Sequence, residues 1–311
     1  MSTVYQITII SSEEERAQQA IEEALEEIAR LESLLSEWRQ DSEISQINRA
    51  AGEFPARVGP DTMAVIEAGL RVSQASAGAF DLSWAALRGL YLFQPGSQKV
   101  PSEEEIHARL PFVNYKNIVV NRNQSEVFLS QKGMAIGTGG IAKGYALDRA
   151  GAILEAKGFR HFLMFGGGQI QMRGGRGDRP WRIGIRHPRR ERTIAFVEAN
   201  DAAIATSGDY ERYFIDERGR RWHHIIDPRT GKPVEHTVQV TVITERGIDA
   251  DAYSTACFVL GAKECLERLP RWEGHPEALI IDSEFRVHLS PGAHRKIIFQ
   301  DPLTEGGVIE P

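Results

Sequence analysis

The chain is predicted to adopt an α+β fold, with a mostly antiparallel sheet core and flanking helices, on three observations. Long helical patterns come first; after residue 158 the pattern changes to short β-branched runs; and those runs follow one another without a helix between each pair, unlike repeating βαβ units. The 311 residues and their 41% hydrophobic content are enough for a large core. We read 1–311 as a single domain, open to division into a helical part over about 1–135 and a β-rich part over 136–311.

Ser12 and Glu15 form a capping-box pattern, and Ala17, Ile21, Ala24, Ile28, Leu31, Leu35 and Trp38 follow at alternating steps of four and three. This spacing predicts a helix over 12–39. Its two seam alanines suit packing onto a domain core better than a coiled coil. Pro60 starts a second helix that turns Ile66 and Leu70 inward. A third helix, 141–157, ends at Gly158. "HFLMF", "WRIGI", "TIAFVEA", "VQVTVIT" and "ALIID" read as strands, and "YFIDERGRRWHHIID" as a hairpin turning at "ERG". A last helix is expected from Asp249 to Leu260.

The net charge of −6 and pI near 5.9 argue against a dedicated nucleic-acid binder, although eight arginines lie between 173 and 192. Arginines on the polar face of a hairpin account for that cluster. Cys257, with apolar neighbours, reads as a buried small hydrophobe, and with Cys265 supports neither a disulfide framework nor a cysteine zinc site. No apolar run approaches the roughly 18 residues of a membrane span. "MSTVYQITII" lacks the pattern of a signal peptide, which leaves a cytoplasmic protein or an exported one with its leader removed.

The glycine-rich stretch "GTGGIAKGYALDRA" enters a helix, yet its spacing fits neither the P-loop nor the dinucleotide fingerprint. In "ERGIDADAYSTACFVLG", Asp251 and Thr255 share a helix face and offer hard oxygens suited to Mg²⁺. An N-cap aspartate followed by a surface threonine explains the same letters. In "HHIIDPRTGKPV", His223 and His224 point to opposite sides of a strand, one of them a candidate base, and Asp227 is suited to capping its own turn. The spacing of His223, His224, Asp227 and His236 does not match a helical zinc motif. Thr206, Ser207 and Gly208, where a strand ends, can bind phosphate or form a turn. Ser207 lacks the elbow of a serine nucleophile.

Seven stretches, "DSEISQINR", "SAGAFD", "GGIAKGYALD", "FGGGQI" with "WRIGIRHP", "IATSGDYERYF", "HIIDPRTGKPV" and "DADAYSTACFVLG", together and in this order resemble the FAD:protein FMN transferase family, also called ApbE. The resemblance implies transfer of FMN from FAD to a Thr or Ser hydroxyl of an acceptor flavoprotein, with release of AMP. It implies Mg²⁺ held by Asp251, Thr255 and a loop carbonyl, Gly140, with His224 as general base and Lys143 near the diphosphate. Trp38, Gly139, Gly140, Lys143, Thr206, Ser207, Gly208 and Asp227 are the expected FAD contacts, Trp38 by stacking. Relatives are commonly exported to the periplasm or envelope as lipoproteins.

Two positions depart from the family pattern: Gly137 and Thr138 stand where Asp-Leu is frequent, and Gln169 where an aspartate is frequent. The same site with water as nucleophile would make an FAD pyrophosphatase, and without turnover an FAD-binding protein. Taken as an exposed helix-start carboxylate, Asp251 is expected to contribute only about 1 kcal/mol to stability.

Overall fold

The computed structural model describes residues 3–300 together with Gly307 and Ile309. The first half of the chain carries β1 (Tyr5–Ile9), α1 (Glu14–Leu35), α2 (Glu43–Arg49), β2 (Ala56–Arg57), α3 (Pro60–Ala75), α4 (Glu103–Arg109), β3 (Ile118–Asn121), β4 (Glu126–Leu129) and α5 (Ala142–Ala156). Strands dominate the second half. It opens with β5 (Phe162–Gly166), β6 (Gln169–Arg173), β7 (Trp181–Arg186), β8 (Thr193–Ala199) and β9 (Ala202–Gly208), then the hairpin strands β10 (Tyr213–Ile215) and β11 (Arg221–His223). It closes with β12 (Ile226–Asp227), β13 (Lys232–Pro233), β14 (Thr237–Thr244), α6 (Gly247–Arg268), β15 (Glu277–Asp282), β16 (Val287–Leu289) and β17 (Ile297–Phe299).

Seven strands form the central sheet in the order β1-β5-β6-β9-β14-β15-β16, with all neighbours antiparallel. Alternation along each strand gives this sheet two apolar faces. On one face, Met164, Val240 and Val242 join Leu147 and Ala150 of α5, Phe258 of α6 and Ile28 and Leu31 of α1 in one buried cluster. On the other, Met172, Ile204 and Leu279 pack with Ile194 and Val197 of β8, part of a second sheet ordered β17-β8-β7. The two halves expected to divide near residue 135 therefore share a core cluster, and β1 from the first half pairs with β5 from the second.

Several local expectations are corrected. The capping box at Ser12 and Glu15 does not form: α1 begins at Glu14, and its N-cap, Glu13, makes no side-chain cap bond. The buried stripe is Ala20, Ala24, Ile28, Leu31 and Leu35, while Ala17 and Ile21 are half-buried. The helix also ends at Leu35, because Ser36 is extended, and the altered direction puts Glu37 inside and leaves Trp38 68% exposed. At the other end of the chain, α6 starts two residues before Asp249 and runs on past Leu260 to Arg268, with a break at Gly261 (φ 76°, ψ 172°).

That break brings together the two cysteines, which are disulfide-bonded with Cα atoms 5.0 Å apart. Residues eight apart on an unbroken helix would be about 12 Å apart, too far to bridge. The positive φ at Gly261 is what the periodicity of the helix could not reveal. The arginines between 173 and 192 are in part paired locally: Arg173 with Glu155, Arg182 with Glu198 and Arg189 with Asp209.

The start of α6 is held by Asp148 of α5, whose carboxylate accepts the N–H groups of Gly247 (2.7 Å) and Ile248 (2.8 Å). Burial pushes Asp148 up to about 6 against those two donors. The folded chain thus keeps this proton to higher pH than the unfolded chain does, so the group's contribution to stability falls as pH rises from about 4 to about 6. Relative to an Asp148→Asn variant, the wild type should lose roughly 3 kcal/mol between pH 4 and pH 7 in urea unfolding. Parallel pH profiles for the two proteins would contradict this.

Candidate active site

The site is built where the first turns of α5 and α6 meet. Gly144 and Gly247 lie back to back: a Cβ on Gly144 would collide with the Gly247 carbonyl oxygen, so only glycine permits this approach. One turn further along α6, Asp251 turns back to α5 and its Oδ2 accepts the N–H of Gly144 at 3.1 Å. Such a carboxylate at a helix N-terminus satisfies an open amide and meets the positive end of the helix dipole.

Asp251 is neither an N-cap nor exposed. It is 2% exposed, and its Oδ1 accepts the Gln169 side-chain amide at 2.9 Å and the Lys143 ammonium at 3.3 Å. Burial pushes its carboxyl up, and Lys143 is the main opposing influence. The same ammonium donates to the Gly139 carbonyl at 2.7 Å. Gly140 packs so close to Thr255 that an added Cβ would lie 3.1 Å from the Thr255 hydroxyl oxygen. Tyr5 completes the surroundings, its phenol pushed up by burial and then by the charge of Asp251.

This arrangement fits a hard divalent cation. The Asp251 carboxylate and the Thr255 hydroxyl lie one turn apart on α6, the hydroxyl donating to the Asp251 main-chain carbonyl at 3.2 Å; one ammonium already lies between a carbonyl and the carboxylate, and among the described residues the Oε1 atom of buried Gln169 has no hydrogen-bond partner. Among the described residues, no three His, Cys, Asp or Glu side chains group as metal ligands.

His223 is the last residue of β11, and His224 follows it in a bend, its N–H donating to the Arg212 carbonyl at 3.1 Å, so alternation along a strand does not set the direction of the second ring. His223 is buried, with Nε2 2.6 Å from the Val234 carbonyl oxygen and its ring edge-on to Phe258. Burial pushes His224 down to about 3, with lesser contributions from the charges of His223, Arg212 and, smallest, Lys143, and among the described residues its Nδ1 has no hydrogen-bond partner. At neutral pH it is an uncharged imidazole, the form a base needs.

The other sequence-predicted residues separate. Ser207 faces α6, its hydroxyl 2.9 Å from that of Ser254, which donates to the Asp251 carbonyl. Thr206, its neighbour on β9, points to the opposite face and bonds Thr241 at 2.9 Å. Gly208 leaves room for the Tyr210 ring, which a Cβ there would strike. Asp227 is engaged in its own turn, where Arg229 grips it from both side chain and backbone. Trp38 stands at the surface under the Arg88 guanidinium, 4.8 Å from the ring centre.

Sequence reasoning missed Glu37. It is 8% exposed, its Oε2 accepts the Thr138 N–H at 2.8 Å, and Arg88 lies 3.3 Å from Oε1. Gln169, noted only as a departure, is a direct partner of Asp251. No pattern signalled Glu37, because a carboxylate beside Trp38 reads as the polar face of a continuing helix.

With this geometry established, comparison with known proteins is decisive. The ApbE family model matches residues 1–280. The chain belongs to the ApbE family. A protein of Klebsiella pneumoniae named FAD:protein FMN transferase is 34% identical over 274 residues, 85% of this chain and 85% of that protein. Another so named, from Vibrio cholerae, is 32% identical over 84% of this chain and 79% of its own length. Among solved structures, the ApbE protein of Thermotoga maritima superposes with a TM-score of 0.85 at 31% identity, covering 96% of this chain and 99% of that one. The flavin transferase ApbE of Vibrio cholerae gives 0.81 at 28% identity, over 95% of this chain and 96% of that one.

Within this ApbE chain, removing the Asp251 carboxylate leaves a Gly144 amide and a Gln169 amide unpaired in the interior. Asp251→Ala should therefore cost about 3 kcal/mol in metal-free buffer, well above the value for an exposed helix-start carboxylate. A loss under about 1 kcal/mol in urea unfolding would contradict the buried role.

Proposed function

We propose that this chain is an FAD:protein FMN transferase that moves FMN from FAD to a Thr or Ser hydroxyl of a target flavoprotein, through a phosphoester bond and with release of AMP, in a Mg²⁺-dependent reaction. The names of its relatives support the reaction class. One observation carries the reading to these residues: a lysine ammonium is held between the Gly139 carbonyl and the buried Asp251 carboxylate, where a glycine loop meets two helix starts.

Asp251, Thr255 and the Gly140 carbonyl are the residues that would hold Mg²⁺, which when bound neutralises diphosphate oxygens and polarises the phosphorus. Gly139 borders open space, with nothing within 4 Å of an added Cβ, so a diphosphate can approach the backbone closely there. Lys143, freed from its two oxygen partners, supplies positive charge to the AMP phosphate as the phosphoanhydride bond breaks. His224 accepts the proton of the acceptor hydroxyl as its oxygen bonds to the FMN phosphorus. The substrate's negative charge raises the proton affinity of that imidazole, offsetting the effect of burial. The exposed Trp38 ring is available to stack on flavin or adenine.

The test is incubation with FAD, Mg²⁺ and an acceptor flavoprotein bearing a Ser/Thr flavinylation motif. Covalent FMN on the acceptor with one AMP per transfer is the expected result. Free FMN plus AMP would instead make the chain a pyrophosphatase, and intact bound FAD a binding protein. His224→Ala should keep FAD affinity and slow transfer by about 100-fold, the lower range for loss of a general base. An equal rate in that variant would remove His224 from the chemistry.

A further inference from the structure

The loop that faces the cation site is fastened from below by a residue outside it. Thr138 Oγ1 donates to the Leu35 carbonyl at 2.6 Å, and the Gly137 N–H donates to the Leu82 carbonyl at 2.8 Å. The remaining fastening is Glu37, whose carboxylate takes the Thr138 N–H at 2.8 Å and lies near enough to the Gly139 N–H to feel its dipole. These two amides immediately precede the Gly139 carbonyl that holds Lys143. With the first of them fixed, little freedom remains in the direction of that carbonyl or in the path through Gly140 to Thr255.

Gly137 makes this possible. A Cβ built there would overlap Glu37 Oε2 while also coming within 3.0 Å of Trp84 Nε1 and 3.1 Å of Ala85 Cβ. The space beside residue 137 is thus filled by a carboxylate delivered from the end of α1. Arg88 secures it, with one nitrogen 3.3 Å from Oε1 and another donating to the Glu37 carbonyl at 3.1 Å. Nothing about Gly137 requires left-handed backbone, since its φ is not among the positive values. Its lack of a side chain matters because of what enters the gap.

We propose that Glu37 is a positioning residue for the reaction: through the Thr138 amide it fixes the loop backbone, leading into Gly139, that receives the cation and diphosphate, and Gly137 is there to admit its carboxylate. This rests on the FMN-transfer reading, in which that loop cradles the metal-bound diphosphate. Glu37 does not touch the reacting atoms. Its removal should weaken cation and diphosphate binding and leave the sheet and helices in place.

The test is a double-mutant cycle on Glu37→Ala and Gly137→Ala, read by calorimetric titration of Mg²⁺ with ADP as diphosphate probe, alongside FMN transfer and thermal unfolding. Glu37→Ala should raise the dissociation constant about tenfold, as expected for losing a charge-assisted hydrogen bond to the loop. Gly137→Ala should do the same, because its methyl group displaces the far end of a flexible side chain. The double variant should be no worse than either single, since the two changes act on one contact. Glu37→Gln, which keeps an acceptor oxygen, should fall between wild type and Glu37→Ala while melting like wild type.

Multiplying effects in the double variant, or wild-type affinity in a folded Glu37→Ala, would overturn the proposal while wild-type transfer left the FMN-transfer reading intact. A wild type that binds no Mg²⁺ with ADP and transfers no FMN would overturn both.

Discussion

Asp148 of α5 accepts the first two amides of α6, and Asp251 of α6 accepts the amide of Gly144 in the first turn of α5. Each helix start is held by a side chain of the other, across a glycine-to-glycine contact that no Cβ could enter. The rest of the site follows from this exchange. It fixes the distance between Asp251 and Lys143 and sets Thr255 one turn along α6 beside Gly140 of the glycine loop. The sheet beneath adds Gln169 from β6 and Ser207 from β9 on the same face.

The exchange specifies geometry at a cost in stability. Asp148, Asp251 and Glu37 are all pushed upward in pKa by burial, which means that their charged forms are less comfortable in the fold than in water. Lys143 offsets part of this at Asp251, and Arg88 part of it at Glu37. A divalent cation at the same place would offset more. Buried carboxylates of this kind are a weak source of net stability even when paired.

Much of this was legible in the sequence. The strand runs from "HFLMF" to "ALIID" fell where β-branched and aromatic residues alternate, and the motifs containing Lys143 and Asp251 named the two helix starts that meet. What escaped were features set by tertiary context. The end of α1 was overrun because a leucine seam continues to Trp38 in letters, although the chain turns extended at Ser36 and delivers Glu37 inward. The disulfide was missed because it needs the positive φ of Gly261. Thr206 and Ser207, whose letters suited a phosphate site or a turn equally, lie on a strand whose alternation sends them to opposite faces. The departures at Gly137 and Gln169 looked like losses of function, but one admits Glu37 and the other bonds Asp251.

The close contact of the two helix starts holds Asp251 where the proposed cation would bind. The direct measurement is the Mn²⁺ affinity of a Gly144→Ala variant, read by water-proton relaxation. The methyl group must push Gly247 away and draw Asp251 off its position. The expected affinity is at least about tenfold weaker than wild type, equivalent to losing one strong contact, in a variant whose circular dichroism still shows the sheet and helices. Wild-type Mn²⁺ affinity in that folded variant would contradict it.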